Sequence, residues 1–187
     1  LKTTLKEISS IQTGVFAKPN TDGDIVYLQA RHFDEDGKLN LELHPDLNKL
    51  DIKAKHLLLP GDILYAAKGA KNFAALYESK NIPAVASTSF FVIRINKLDE
   101  NIMPAYLVWF MNHPDTQFIL KNQARGSSIA SISKVVLEEL EIPIPTLKMQ
   151  QLILNIASLR EKEKGLKTKI ENLREKQIQQ QIIQALK

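Results

Sequence analysis

The side chains able to act on a ligand are few and scattered. Four histidines, His32, His44, His56 and His113, stand far apart and form neither an HExxH nor a His-x3-His pair, so they read as surface or turn residues. Pro45-Asp46 followed by Asp51-Ile52-Lys53 imitates the PD...DxK pattern of metal-dependent nucleases. Four intervening residues leave little room for the hairpin that must bring both carboxylates onto one divalent ion, so the segment reads as a polar turn entering a strand. The sequence carries no GxxxxGK[ST] phosphate loop, no GxSxG elbow and no kinase signature. It also lacks the glycine motif and the Asn/Asp-Pro-Pro-aromatic motif that DNA methylation by this chain would need. Without cysteine, disulfides, thiolate metal sites and cysteine nucleophiles are excluded, in keeping with a reducing cytoplasm.

What remains is charge and hydrogen bonding on loops, the chemistry that positions phosphates and reads base edges. One cluster is Lys68, Gly69, Lys71 and Asn72, which can present a basic hairpin loop to a groove. The other lies between Asp115 and Glu138, where no acidic residue occurs. Lys121, Arg125 and Lys134 fall there with Gln123, Ser127, Ser128 and Ser131, and Gly126 permits close approach of backbone amides. Lys18 and Asn20 are further candidates, and Arg31 and His32 weaker ones, because Asp34, Glu35 and Asp36 follow at once. Each of these segments also has the plain reading of a solvated loop. Trp109, Phe110, Phe90 and Phe91 lie within apolar runs and read as core rather than as stacking platforms.

The net charge of +4 is unevenly placed. Residues 1–146 carry 16 Lys or Arg against 17 Asp or Glu, and residues 147–187 carry 9 against 4, so the basic excess belongs to the tail. A DNA-binding surface on the first part must therefore be a local patch in a neutral background.

The elements that position these residues read as α+β. Short strands are expected at Asp24 to Gln29, Leu39 to Leu43, Ile63 to Ala67, Phe73 to Glu78 and Phe90 to Ile95, with turns at Asp22-Gly23, Asp36-Gly37 and Pro60-Gly61. Pro104 suits the first turn of a helix that is apolar nearly all round through Met111 and therefore buried. His113-Pro114 breaks it, and a second helix runs from Asp115 to about Gln123 with Phe118, Ile119 and Leu120 facing inward. Ser133 caps a short helix over Lys134 to Leu140, and Ile142 to Ile144 gives one more strand.

From Leu147 the pattern changes. Leu152, Ile156, Leu159, Leu166, Ile170 and Leu173 recur at alternating spacings of four and three, apart from a gap at Glu163, as in a coiled-coil seam. A helix of roughly 40 residues would extend about 60 Å, longer than a compact body needs to cover itself, so a partner for the seam is expected. Glu163 and Gln177 either fix register or lie in solvent near a frayed end. The organisation is thus a globular domain over residues 1–146 and a long helix over residues 147–187.

Residues Gly126 to Ile156, GSSIASISKVVLEELEIPIPTLKMQQLILNI, join a Gly-Ser loop, a short helix and an Ile-Pro-Ile-Pro strand to the long helix. With LLLPGDILYAAKG over Leu57 to Gly69, this resembles a target-recognition domain in the DNA specificity subunit of type I restriction-modification systems. LKEISSIQTGVFAKP, YLQARHF and AVASTSFFVIRI resemble the family's opening segment, a central strand and the strand before its helical part.

The resemblance implies a non-catalytic subunit that selects double-stranded DNA. Partner adenine methyltransferase subunits would use S-adenosylmethionine, and a restriction and translocation subunit would use ATP and magnesium, with no cofactor on this chain. Family members usually carry two recognition domains whose long helices pair antiparallel over a bipartite site. One domain and one helix here imply a half subunit or an excerpt of a longer chain, and Leu1 in place of Met fits a trimmed chain. Pairing through residues 147–187, with itself or with a second half subunit, would restore the usual arrangement. Two other readings stay open: a segment of a fused restriction-methylation enzyme, and a coiled-coil adapter with no DNA role. No apolar run reaches the roughly 18 residues of a membrane span, and the expected location is the cytoplasm.

Overall fold

The computed structural model describes residues 2–20, 23–34, 37–39, 42–49, 52–68, 72–78, 83–96, 101–123 and 131–186. They fall into two units, Leu1–Leu147 and Lys148–Lys187. In chain order the elements are β1 (Lys2–Thr4), α1 (Leu5–Ile8), β2 (Ser9–Thr13), β3 (Val26–Leu28), β4 (Ile63–Ala66), β5 (Ala74–Leu76), β6 (Ala84–Ala86) and β7 (Phe90–Ile95). There follow α2 (Pro104–Asn112), α3 (Pro114–Asn122), α4 (Lys134–Glu138), β8 (Glu141–Pro143) and α5 (Leu147–Ala185). The class is α+β with a mixed sheet system, as expected.

The centre of the body is an antiparallel sheet of order β2-β7-β4-β5. Beside it β3 pairs in parallel with β6, and β1 pairs antiparallel with β8. All four residues of β4 are buried, so both faces of that strand are covered. Leu64 and Ala66 join Val26, Leu28, Ala84, Phe90 and Val92 in a core cluster. Phe33, Phe73 and Phe90 meet there with ring centroids 5.7 to 6.1 Å apart.

The connection into β4 shows how local sequence sets that strand. Leu59-Pro60-Gly61-Asp62 forms a turn closed by the Asp62 amide on the Leu59 carbonyl at 3.0 Å, with Gly61 at φ +92, a value that favours glycine at the third position. Asp62 is 1% exposed and engages Arg94 of β7 in two hydrogen bonds of 2.7 and 2.6 Å; it also accepts the Leu59 amide at 2.8 Å. The pair ties the start of β4 to the far half of β7.

Several sequence expectations are corrected. The expected strand at Asp24 to Gln29 shortens to Val26–Leu28, and that at Phe73 to Glu78 to Ala74–Leu76. Of the strand expected from Leu39 to Leu43, Leu39 makes a single bridge to Phe33 and Glu42 and Leu43 lie in no strand, while residues 40 and 41 lie outside the described residues. The helix from Lys134 stops at Glu138, with the Val136 amide on the Ser133 hydroxyl at 3.3 Å, as the cap predicts. In α3 only Thr116 and Leu120, one turn apart, are buried. Phe118 and Ile119, expected to face inward, are 66% and 48% exposed, because a nine-residue helix on a body buries one narrow stripe. Tyr106, Leu107 and Met111 of α2 are buried, whereas Trp109 and Phe110 are half-buried against Tyr106.

Helix α5 is a single run of 39 residues. Leu152, Ile156, Leu159, Leu166, Ile170 and Leu173 are all exposed along it. Glu163 pairs with Lys167 at 2.7 Å on the solvent side, an i,i+4 contact. Among the described residues no helix is long and apolar enough to cross a membrane.

Candidate nucleic-acid interface

Strand directions bring distant segments to one end of the body. Thr13, the last residue of β2, lies opposite Phe91, and Ala66, the last of β4, lies opposite Phe90. The chain therefore leaves β2 and β4 where it enters β7. Since β5 is antiparallel to β4, with Ala74 opposite Tyr65, it starts at that same end. Leu28, the last residue of β3, lies opposite Ala86, just before the Ser87-Thr88-Ser89 turn that leads into β7.

Backbone hydrogen bonds lace these ends together. The Val15 amide meets the Ala86 carbonyl at 2.8 Å, the Ser87 amide the Leu28 carbonyl at 2.8 Å, and the Ala67 amide the Ser89 carbonyl at 3.1 Å. Ile132 then donates to the Ala67 carbonyl at 3.1 Å, and Lys68 bridges antiparallel to Ser131. The two polar clusters of the sequence, some sixty residues apart in the chain, thus begin and end on one another's backbone. Gly14 sits where the packing is tightest: a Cβ there would lie 2.1 Å from the Ser87 carbonyl oxygen, which requires glycine.

The rim so formed carries exposed Arg31 and Lys68, together with His32, Asn72, Thr88, Ser89 and Ser131. Exposed Lys18 and Asn20 follow on the loop that leaves β2, where the Asn20 amide is held on the Asp46 carbonyl at 2.7 Å beside Ile25, at the entry of β3. Asn72 uses its side-chain amide to close the loop on the Ala66 carbonyl at 2.8 Å. His32 ends a 3-10 turn over Ala30–His32, and its Nδ1 accepts the Gln29 amide at 3.3 Å. Burial, reinforced by neighbouring Arg31, lowers its pKa, so the ring is neutral at pH 7 and its Nε2–H is a donor. Lys134 opens α4 and reaches Glu138 at 3.3 Å; Lys121 is exposed in the last turn of α3. Gly69, Lys71, Arg125, Gly126, Ser127 and Ser128 lie outside the described residues.

Sequence reading missed the Ser87-Thr88-Ser89 turn as part of this rim. Its signal was present as a polar triplet before the Phe90 strand, but nothing local said which other loops it meets. Asp46 of the nuclease-like pattern accepts the Tyr27 amide at 2.8 Å and so has a structural task, while Asp51 lies outside the described residues. Among the described residues no group of three or more His, Asp or Glu side chains is placed to hold a metal.

The body thus gathers cations, hydroxyls and amides on loop ends at one end of its central sheet. Residues 2–172 match the family described as the type I restriction modification DNA specificity domain, and the chain belongs to that family. Residues 2–172 thus make up a DNA specificity domain of the type I restriction-modification kind. A chain solved in work on the "complex assembly and conformational transition of the type I R-M system" matches with TM-score 0.63 at 14% identity, over 87% of this chain and 38% of that one. The HsdS subunit from Thermoanaerobacter tengcongensis matches with TM-score 0.59 at 13% identity, covering 87% and 37%. The type I restriction-modification S subunit from M. genitalium matches with TM-score 0.56 at 15% identity, covering 87% and 39%. These likenesses are of fold, and the chain spans less than two fifths of each structure's length. No curated protein matches the sequence.

Proposed function

We propose that this chain reads one half of a bipartite site on double-stranded DNA and directs a partner adenine methyltransferase, and a partner restriction and translocation subunit, to it. The observation that carries the reading is the convergence of polar loop ends at one end of the β2-β7-β4-β5 sheet. Three interstrand spacings of about 4.8 Å set the β2 and β5 loops roughly 14 Å apart. That span is comparable to a DNA major groove about 12 Å wide. Lys18, Arg31 and Lys68 suit the phosphates, while Asn20, neutral His32, Asn72 and the hydroxyls suit base edges. Gly69, Lys71, Arg125, Gly126, Ser127 and Ser128 belong to the same proposal, as chain neighbours of Lys68 and Ser131.

Residues 147–187 act as spacer and dimerisation element, and methyltransferase docking belongs to the same stretch. The exposed stripe of Leu152, Ile156, Leu159, Leu166, Ile170 and Leu173 supports pairing with a second copy or another half subunit. Arg160, Lys162, Lys164, Lys167, Lys169, Arg174 and Lys176 offer charge to acidic partner surfaces or phosphates. A symmetric pair would read two identical, inverted half-sites.

Charge reversal tests the DNA surface. Lys68→Glu combined with Lys18→Glu should weaken binding of the full chain to any duplex. It should also flatten the salt dependence of log K by about one unit for each phosphate that is no longer neutralised. An unchanged salt slope would turn the assignment toward a coiled-coil adapter.

A further inference from the structure

Among the described residues, Phe16 is the most exposed large apolar side chain of the body, at 79%, and it stands on the loop leaving β2, next to Val15 at the rim just described. A lone exposed phenylalanine needs no explanation by itself. This one is held. The Tyr27 hydroxyl donates to the Val15 carbonyl at 2.9 Å and accepts the Ala17 amide at 3.4 Å, gripping the backbone on both sides of Phe16. Tyr27 is itself buried among Ile25, Leu47 and Val85, and its amide is fixed by Asp46. Val15 is anchored on the Ala86 carbonyl, and the far end of the loop is anchored by the Asn20 amide on the Asp46 carbonyl at 2.7 Å. A buried phenol, a carboxylate and two strand ends thus fix the backbone that carries an aromatic ring left in solvent.

Among its neighbours on the rim, Phe16 offers neither charge nor a hydrogen bond. On a DNA duplex it has nothing to offer a phosphate. The apolar group that the major-groove edge presents is the C5-methyl of thymine. We infer that Phe16 is a specificity-determining residue that reads a thymine methyl in the recognised half-site, with Tyr27 as its positioning residue. The inference rests on the DNA-reading function proposed above.

The test selects duplexes from a library with a randomised core of roughly 20 base pairs, about two helical turns, on the full-length chain, wild type and Phe16→Ala. The wild type should enrich a motif. Phe16→Ala should retain that motif with the preference for thymine lost at one position, whereas Phe16→Leu should keep it in part. In the selected duplex, replacing that thymine by deoxyuridine removes only the methyl group. Wild-type affinity should fall about fourfold, the equivalent of about 0.8 kcal/mol for one buried CH2, and the affinity of Phe16→Ala should not change. Tyr27→Phe, which keeps the ring and loses the grip, should narrow the thymine-to-deoxyuridine ratio while leaving the salt slope as it was.

An unchanged motif in Phe16→Ala, or equal loss on every sequence, would overturn the role of Phe16 and leave the DNA-reading function standing. Loss in Phe16→Ala with deoxyuridine tolerated by the wild type would overturn the methyl contact. No enriched motif with the wild type would overturn the underlying function and this inference with it.

Discussion

The two units of the chain treat apolar surface in opposite ways. In the body, Leu64, Tyr65, Phe90 and Ile93 are fully enclosed, and an ion pair ties strands together. In α5, six seam residues from Leu152 to Leu173 are each about half exposed or more, along a helix carrying a strong positive excess. Such a stripe is stable in water only when another surface covers it, since most helical stability in proteins comes from packing an amphipathic face. The contrast teaches that the body encloses its own apolar surface, whereas the helix leaves uncovered the stripe that the proposed pairing would bury.

The sharpest way to break this contrast is to charge the seam. Replacing Leu159, Ile170 and Leu173 with glutamate should abolish self-association in light scattering while leaving the circular dichroism of the body's sheet intact. A dimer that survives would contradict the seam. The reverse experiment acts on the body alone: Asp62→Ala leaves Arg94 without its partner and should cost about 3 kcal/mol in urea denaturation, without altering association through the helix. A loss below about 1 kcal/mol, the range of an exposed pair, would mean that the pair does not lock β4 to β7.

Smaller changes sharpen the picture. Gly165 lies within α5 with nothing within 4 Å of where a Cβ would stand. Gly165→Ala should therefore stabilise the helix by about 1 kcal/mol, seen as a higher melting temperature of the paired helix and no change in the body. At the other end of the chain, the Thr3 hydroxyl at 2.6 Å and the Thr4 amide at 2.7 Å donate to the Glu7 carboxylate and hold its pKa down to about 2 from 4.5. A depressed pKa gives stability that is present above the unfolded value and lost as pH falls through the folded one. Wild-type stability should thus decline between pH 4.5 and about 2 with a contribution that Glu7→Gln lacks.

What can be read from the sequence divides along physical lines. The strand Phe90–Ile95 is legible because β-branched and aromatic residues run between turn signals, and the helix of residues 104–112 because proline opens it and His113-Pro114 ends it. The strand Ala84–Ala86 is not, since alanines carry no strand signature and its burial comes entirely from its neighbours. Three-residue β1 and four-residue α1 are likewise too short for periodicity to show. Phe118 and Ile119 mislead because composition says that they are apolar, while only the surface that α3 lies on decides which stripe is covered.

The site divides in the same way. Lys68 and Ser131 stand out in the sequence as members of separate loops, but their backbone pairing depends on strand order, which local pattern does not encode. Phe16 gives no sequence signal for the same reason, since the Tyr27 hydroxyl that braces it is eleven residues away and belongs to another strand.

The central claim, that this chain chooses a DNA sequence for a methyltransferase, is tested most directly by sequencing adenine methylation in the native host with and without the gene. The account predicts that one methylated motif disappears on deletion; an inverted repeat would identify a symmetric pair and an asymmetric motif a second recognition domain. Survival of every methylated motif in a host with active methyltransferases would contradict it.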